Sequence, residues 1–154
     1  MKTTSKRPEQ SFRVWFCNLI EKTGGYAQPI ESNSTGLGIP DIHILTPMKK
    51  RPVWVECKCM KDIDDEIPFE PGQANWLFEY ATSGGVSLVA VLCNELVYVF
   101  AIKCVDRMTQ KLRVLGNEPR YIIRMTKRQI ASSPDSFVDQ LEYITADANC
   151  RAPY

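Results

Sequence analysis

Gly38-Ile39-Pro40-Asp41-Ile42-His43-Ile44, followed after a short link by Val53-Trp54-Val55-Glu56-Cys57-Lys58-Cys59, reads as two β-strands. Each strand carries an acidic residue inside an otherwise apolar run. Side chains alternate along a strand, so Glu56 and Lys58 project to one side and Val53, Val55, Cys57 and Cys59 to the other. A carboxylate in a strand that reads as core is costly unless something pairs with it. The link, Pro47 to Pro52 with Lys49-Lys50-Arg51 at its tip, has turn chemistry, so the two strands are expected to form a hairpin.

The hairpin is preceded by a helix pattern and a short edge strand. Phe12, Trp15, Phe16, Leu19 and Ile20 recur at helical spacing, with Pro8 acceptable in the first turn and Thr23-Gly24-Gly25 as the stop. Tyr26 to Ile30 is a short strand that Pro29 confines to an edge. The polar loop Ser32 to Gly38 leads into the Asp41 strand. After the hairpin, Met60 to Glu70 is charged and loop-like. Pro71 opens a second helix through Gln73, Trp76, Leu77 and Tyr80, which ends at Ser83-Gly84-Gly85. Val86 to Cys93 is almost wholly apolar, as in a strand covered on both faces. Asn94-Glu95 turns it into an antiparallel partner, Leu96 to Ile102. Further on, Val105, Met108, Thr109 and Leu112 have a helical period up to Gly116, Tyr121 to Met125 reads as a strand, and Ser133-Pro134-Asp135 caps a last helix.

At 154 residues the chain is most simply one domain with a real core. No run approaches the roughly 18 apolar residues of a membrane span, and the polar Met1 to Gln10 lacks the apolar stretch of a secretory signal. A cytoplasmic protein is expected, and its six cysteines, none in C-x-x-C spacing, are expected to be reduced thiols. The net charge of +1 hides a polarised distribution. Lys103 to Arg128 holds eight basic residues against Asp106 and Glu118, whereas Glu56 to Glu70 holds six acids against Lys58 and Lys61. Such a chain suits cations in one place and a polyanion in another.

Two carboxylates on neighbouring strands can share a divalent cation. Mg2+ takes oxygen ligands, usually one or two carboxylates with waters and a substrate phosphate. It polarises a phosphoryl oxygen and helps to generate a hydroxide nucleophile. Lys58 beside it can orient the attacking water and offset the charge of the transition state. Acid, acid and lysine therefore compose a phosphodiester-hydrolysing site. The tip cations Lys49, Lys50 and Arg51 suit backbone phosphates, with a solubilising turn as the plain alternative. Trp76 lies on an apolar helical stripe and is expected to be core rather than a stacking platform. His43 shares a face with Asp41 and is expected to be structural.

The order helix, strand, polar loop, G-I-P-D strand, E-C-K strand, helix with Gln73, strand resembles the PD-(D/E)XK nuclease superfamily. Within it, Gly38 to Asp41, Val55 to Lys58, and Pro71-Gly72-Gln73-Ala74-Asn75-Trp76-Leu77 followed by Gly84-Gly85-Val86 look most like the VRR-NUC type, with archaeal-type Holliday junction resolvases as near relatives. The resemblance implies an α/β, restriction-endonuclease-like αβββαβ core over about residues 8–102, with a mixed sheet flanked by helices. Residues 103–154 then form an α/β extension within a single nuclease domain spanning 1–154. It implies Asp41, Glu56 and the Cys57 backbone carbonyl as ligands of Mg2+ (or Mn2+), Lys58 as the catalytic lysine, and Gln73 as a supporting group. A helix-one glutamate is also implied. Glu9 and Glu21 both qualify, and Glu9, which opens the helix, is favoured. Ser34 and Thr35 are expected at substrate phosphate, as are Arg107 and Lys111 from the basic flank. The cysteine inside E-x-K, where an aliphatic residue is usual, reads as a small buried hydrophobe. The activity implied is a metal-dependent DNA endonuclease on branched DNA, working as a homodimer with no membrane partner. A restriction-like or flap nuclease, or a non-catalytic DNA-binding module, is the alternative.

Overall fold

A computed structural model describes residues 6–30, 38–105, 112–114 and 121–146. Helix α1, Lys6–Lys22, buries Phe12, Phe16, Leu19 and Ile20 and half-buries Trp15, the five residues that the helical period singles out. The Thr23 hydroxyl bonds to the Leu19 and Ile20 carbonyls and so closes its last turn. Strands β1 (Tyr26–Pro29), β2 (Ile42–Leu45) and β3 (Pro52–Met60) follow, then helix α2 (Gln73–Thr82) and strands β4 (Ser87–Cys93) and β5 (Leu96–Ala101). A single 3-10 turn, Ile102–Cys104, precedes β6 (Ile122–Thr126), α3 (Lys127–Ser132) and α4 (Pro134–Thr145).

The strands form one sheet in the order β1-β2-β3-β4-β5-β6. Only β3 and β4 run parallel; every other neighbouring pair is antiparallel. A parallel pair needs a crossover, and α2 supplies it. The expected mixed sheet flanked by helices is thus observed, with the αβββαβ order intact and an α/β segment after it.

Pleat alternation splits the core in two. Ile42, Ile44, Val53, Val55 and Cys57 point toward α1 and α4, where they meet Phe12, Phe16, Phe137 and Leu141. Val89, Val91 and Phe100 point the other way, toward Leu77 of α2. β4 is buried on both faces, as its unbroken apolar run requires. No described helix is long and apolar enough to cross a membrane.

Four local expectations need correction, the first being that α2 starts at Gln73, with Gly72 as its N-cap, rather than at Pro71. Strand β2 starts at Ile42, so Gly38 to Asp41, read as part of the strand, precede it. The helix expected up to Gly116 is absent at Leu112–Val114. There Arg113 forms an isolated antiparallel bridge with Glu66, and the Ile67 N–H donates to the Leu112 carbonyl at 2.8 Å. Leu112 and Val114, two residues apart, are both buried against the α2-side core, so pairing with the 62–70 loop overrides the helical period. Ser133 occupies the N-cap position of α4, but its hydroxyl makes no capping bond; Pro134 at the start of the helix removes one donor that would have needed it. The unanticipated α3 starts from a Thr126/Gln129 capping box, in which each side chain bonds the other's backbone N–H.

Candidate active site

The β2–β3 hairpin assembles the acids. Ile42 lies opposite Val55 in the antiparallel register, which carries Asp41 to the end of the ladder beside Glu56. The Cys57 N–H donates to Asp41 Oδ2 at 3.1 Å, so the backbone of one strand orients the acid of the other. Lys58, two residues beyond Glu56 on the same face, brings its Nζ to 3.4 Å from Glu56 Oε2. From α1, Glu9 Oε1 lies 3.7 Å from the same ammonium. The Cys57 side chain is buried in the opposite core and behaves as the small hydrophobe expected.

Glu56 and Lys58 are 1% and 3% exposed, which for charged side chains demands a partner. Lys58 approaches Glu56 at ion-pair range without hydrogen-bond alignment, and neither Glu56 oxygen has a hydrogen-bond partner among the described residues. Burial, and then the Asp41 charge, push the Glu56 carboxyl up to about 8, with Lys58 acting in the opposite sense. Burial also raises Glu9 above its ordinary value, again against the pull of Lys58.

This donor set fits a hard divalent cation. A buried carboxylate whose oxygens accept no hydrogen bond, next to a second carboxylate, can take a cation as its partner. Among the described residues no three His, Cys, Asp or Glu side chains form a ready-made cage. Mg2+ suits such a site because it keeps several waters and asks for one or two carboxylates.

The remaining candidates fall into three groups. Gln73 opens α2, and its Oε1 accepts the Glu70 N–H at 2.8 Å, so its side chain folds back on the preceding loop. It is nonetheless held against the Asp41 segment through Gly38. Gly38 has φ +72°, and a Cβ there would meet the Gly72 carbonyl and lie 2.8 Å from the Gln73 nitrogen. Gly38→Ala is therefore expected to destabilise the chain by about 2–4 kcal/mol. Urea titration measures this, and an unchanged midpoint would mean the two loops do not touch.

The hairpin tip is largely engaged within the protein. Lys50 Nζ bonds to the Gly24 and Pro47 carbonyls. Arg51 Nη1 bonds to the Glu142 carbonyl at 2.8 Å and lies 3.5 Å from Glu142 Oε1. Glu142 Oε2 also accepts the Met48 and Lys49 N–H groups, so α4 clamps the tip and leaves Lys49 as its outward ammonium. In the basic flank, Lys103 Nζ bonds to the Ala146 carbonyl, Arg113 to the Asp64 carbonyl, and Lys127 lies over the Trp15 ring. Ser34, Thr35, Arg107 and Lys111 lie outside the described residues.

Glu21 is exposed at the far end of α1, whereas Glu9 reaches Lys58. His43 packs on Trp54, with ring centroids 4.9 Å apart, and Trp54 meets Trp76 at 5.5 Å. Trp76 is half-buried against the α2-side core, as its stripe suggested. One neighbour of the acids went unread in the sequence. Arg13 places Nη1 3.8 Å from Asp41 Oδ1. The available signal was its spacing of four residues from Glu9, which puts both on one helix face.

No protein-family model and no curated protein sequence matches the chain. Its backbone is similar to a solved structure, the 1.6 Å structure of Archaeoglobus fulgidus Hjc, described as a Holliday junction resolvase from an archaeal hyperthermophile. The two are 15% identical, with a TM-score of 0.51 over 80% of this chain and 92% of that one. At that identity the likeness concerns architecture: the chain has a restriction-endonuclease-like fold.

Proposed function

We propose that this chain is a Mg2+- or Mn2+-dependent endodeoxyribonuclease of the PD-(D/E)XK superfamily, of VRR-NUC or resolvase type. Its proposed substrate is branched DNA, cut as a homodimer in the cytoplasm (the host's, if the chain is phage-encoded). The observation that carries this reading is Glu56, a buried carboxylate without hydrogen-bond donors, flanked by Asp41 and Lys58 on the hairpin of a restriction-endonuclease-like fold. The solved relative's description as a Holliday junction resolvase supports the choice of substrate class.

Asp41, Glu56 and the Cys57 carbonyl would hold the cation, which when bound would supply Lewis-acid polarisation of the phosphate. Asp41 is prealigned for this by the Cys57 N–H. Lys58 donates to the attacking water and lends positive charge to the phosphoryl oxygens as negative charge builds on them. Glu9, 3.7 Å from the Lys58 ammonium, fixes its direction. Gln73, at the start of α2, supports the segment that carries Asp41. Lys49 contributes phosphate attraction from the hairpin tip, joined by Lys50 and Arg51 where their present contacts leave donors over. Ser34, Thr35, Arg107 and Lys111 remain proposed DNA contacts.

Glu9→Gln should lower the cleavage rate about 10- to 100-fold, because a neutral amide orients Lys58 less strongly, whereas Glu21→Gln leaves the rate unchanged. Equal rates for Glu9→Gln and wild type would remove Glu9 from the site. The substrate is tested by a cleavage panel in Mg2+ comprising a four-way junction, splayed arm, flap and linear duplex. Symmetric nicking of the four-way junction alone is expected. Equal cutting of all four would sink the junction reading, and preference for the flap would move the enzyme to the flap nucleases.

A further inference from the structure

Helix α1 presents two charged residues to the site from one face. Glu9 and Arg13, four residues apart, project together, and each meets its opposite: Glu9 the Lys58 ammonium at 3.7 Å, Arg13 the Asp41 carboxylate at 3.8 Å. Asp41 already holds the Cys57 N–H with Oδ2, so it offers Oδ1 to the guanidinium. At 3.8 Å that contact lies beyond hydrogen-bond distance. The Arg13 Nε–H is also closed off from solvent and has no acceptor.

A guanidinium carries five donors in a planar fork, and a structural Arg–carboxylate pair normally closes two of them side by side. Arg13 is instead drawn to Asp41 by charge alone, with its Nε–H unused and its side chain 29% exposed beside a site that also holds Lys58. The missing partner is an oxyanion with two acceptor atoms side by side, and a phosphodiester supplies one. A divalent cation at Asp41 and the Arg13 guanidinium would also compete for the same carboxylate oxygen.

We propose that Arg13 is a phosphate-binding residue of this site, neutralising Asp41 in the metal-free chain and turning its fork to a DNA phosphate beside the scissile bond once a divalent cation is held there. The inference rests on the nuclease reading and adds to it a contact that reading does not require. Its two halves have opposite signs. Loss of Arg13 removes a competitor for the metal and a ligand for the DNA, and partial unfolding cannot strengthen one while weakening the other.

Calorimetry with Mn2+ and no DNA should show the full chain carrying Arg13→Gln binding the metal about three- to tenfold more tightly than wild type. Binding of a labelled four-way junction is then followed by fluorescence anisotropy in a Lys58→Met background, which keeps Asp41 and Glu56. With Mn2+ present, adding Arg13→Gln should weaken binding at least about tenfold and lower the salt slope by about one. In EDTA, with Arg13 still held by Asp41, the loss should be no more than about twofold. Arg13→Lys keeps the charge but not the fork, so Mn2+ affinity should stay within about twofold of wild type while DNA affinity still falls. Mn2+ affinity unchanged or weakened in Arg13→Gln, or junction affinity indifferent to it, overturns the inference and leaves the nuclease reading standing. Absence of junction binding by wild type and by the Lys58→Met parent alike overturns both, and the wild-type titration tells that case apart.

Discussion

Lys58→Met should reduce metal-dependent DNA cleavage by at least about a thousandfold while the chain stays folded. The ammonium is 3.4 Å from Glu56 and 3.7 Å from Glu9, and 3% exposed. Its removal takes positive charge from the place where the phosphoryl oxygens gain negative charge, in a site with little water to compensate. Folding should survive because burial and the Asp41 charge already raise the Glu56 carboxyl, so without Lys58 it can take up a proton and does not stay a lone buried charge. Asp41→Asn should lose a similar factor for a different reason. The amide oxygen can still accept the Cys57 N–H, which preserves the hairpin, but it brings no negative charge to a cation. Cleavage of the four-way junction in Mg2+, with circular dichroism as the folding control, measures both variants. Wild-type rates in either would mean that the hairpin is not the catalytic site.

The second large effect is on stability. Glu56 ionises near 4.5 in an unfolded chain and near 8 in the folded one. Between those values the unfolded chain releases a proton that the folded chain keeps, so raising the pH favours unfolding. The contribution is complete below about pH 4.5 and gone above about pH 8. Each unit of pH in that window is worth about 1.4 kcal/mol for a fully shifted group, and the whole effect is of the order of a few kcal/mol. Glu9, also raised, adds in the same direction. The metal-free chain should therefore lose about 5–10 °C of Tm between pH 5 and pH 8 relative to Glu56→Gln. Saturating Mn2+ should remove that difference by stabilising the ionised carboxylate. Thermal unfolding of both proteins, with EDTA and with Mn2+, measures it. Parallel Tm profiles in EDTA would show that Glu56 carries no buried-charge penalty.

Much of the site was legible from residue pattern. Period two in Val53 to Cys59 fixed which side chains share a face, and the turn chemistry of Pro47 to Pro52 fixed the hairpin, so Glu56 and Lys58 came together as read. Glu9, at the start of α1, lies 3.7 Å from the Lys58 ammonium, whereas Glu21 is exposed at the helix's other end. The tip cations were harder. Three exposed charges in a row look alike in a sequence, yet two of them are engaged by carbonyls of Gly24, Pro47 and Glu142. Glu142 is more than ninety residues away, and no local pattern announces such a clamp. Leu112 to Val114 failed for a similar reason, because pairing with Glu66 and Ile67 outweighed a weak helical period.

By itself the sequence determined what short-range chemistry determines: the αβββαβ run of strands and helices, the faces they bury, and the pairing of Glu56 with Lys58. Each follows from the two-residue and 3.6-residue periods of the backbone. Tertiary structure alone decided which charges remain available to a ligand. The Cys57 N–H bound to Asp41, the Arg13 fork short of an acceptor, and the Glu142 clamp on the hairpin tip all join residues distant in the chain. Their energies depend on burial and on a few tenths of an ångström in distance, which appear only when the sheet and its helices have closed around them.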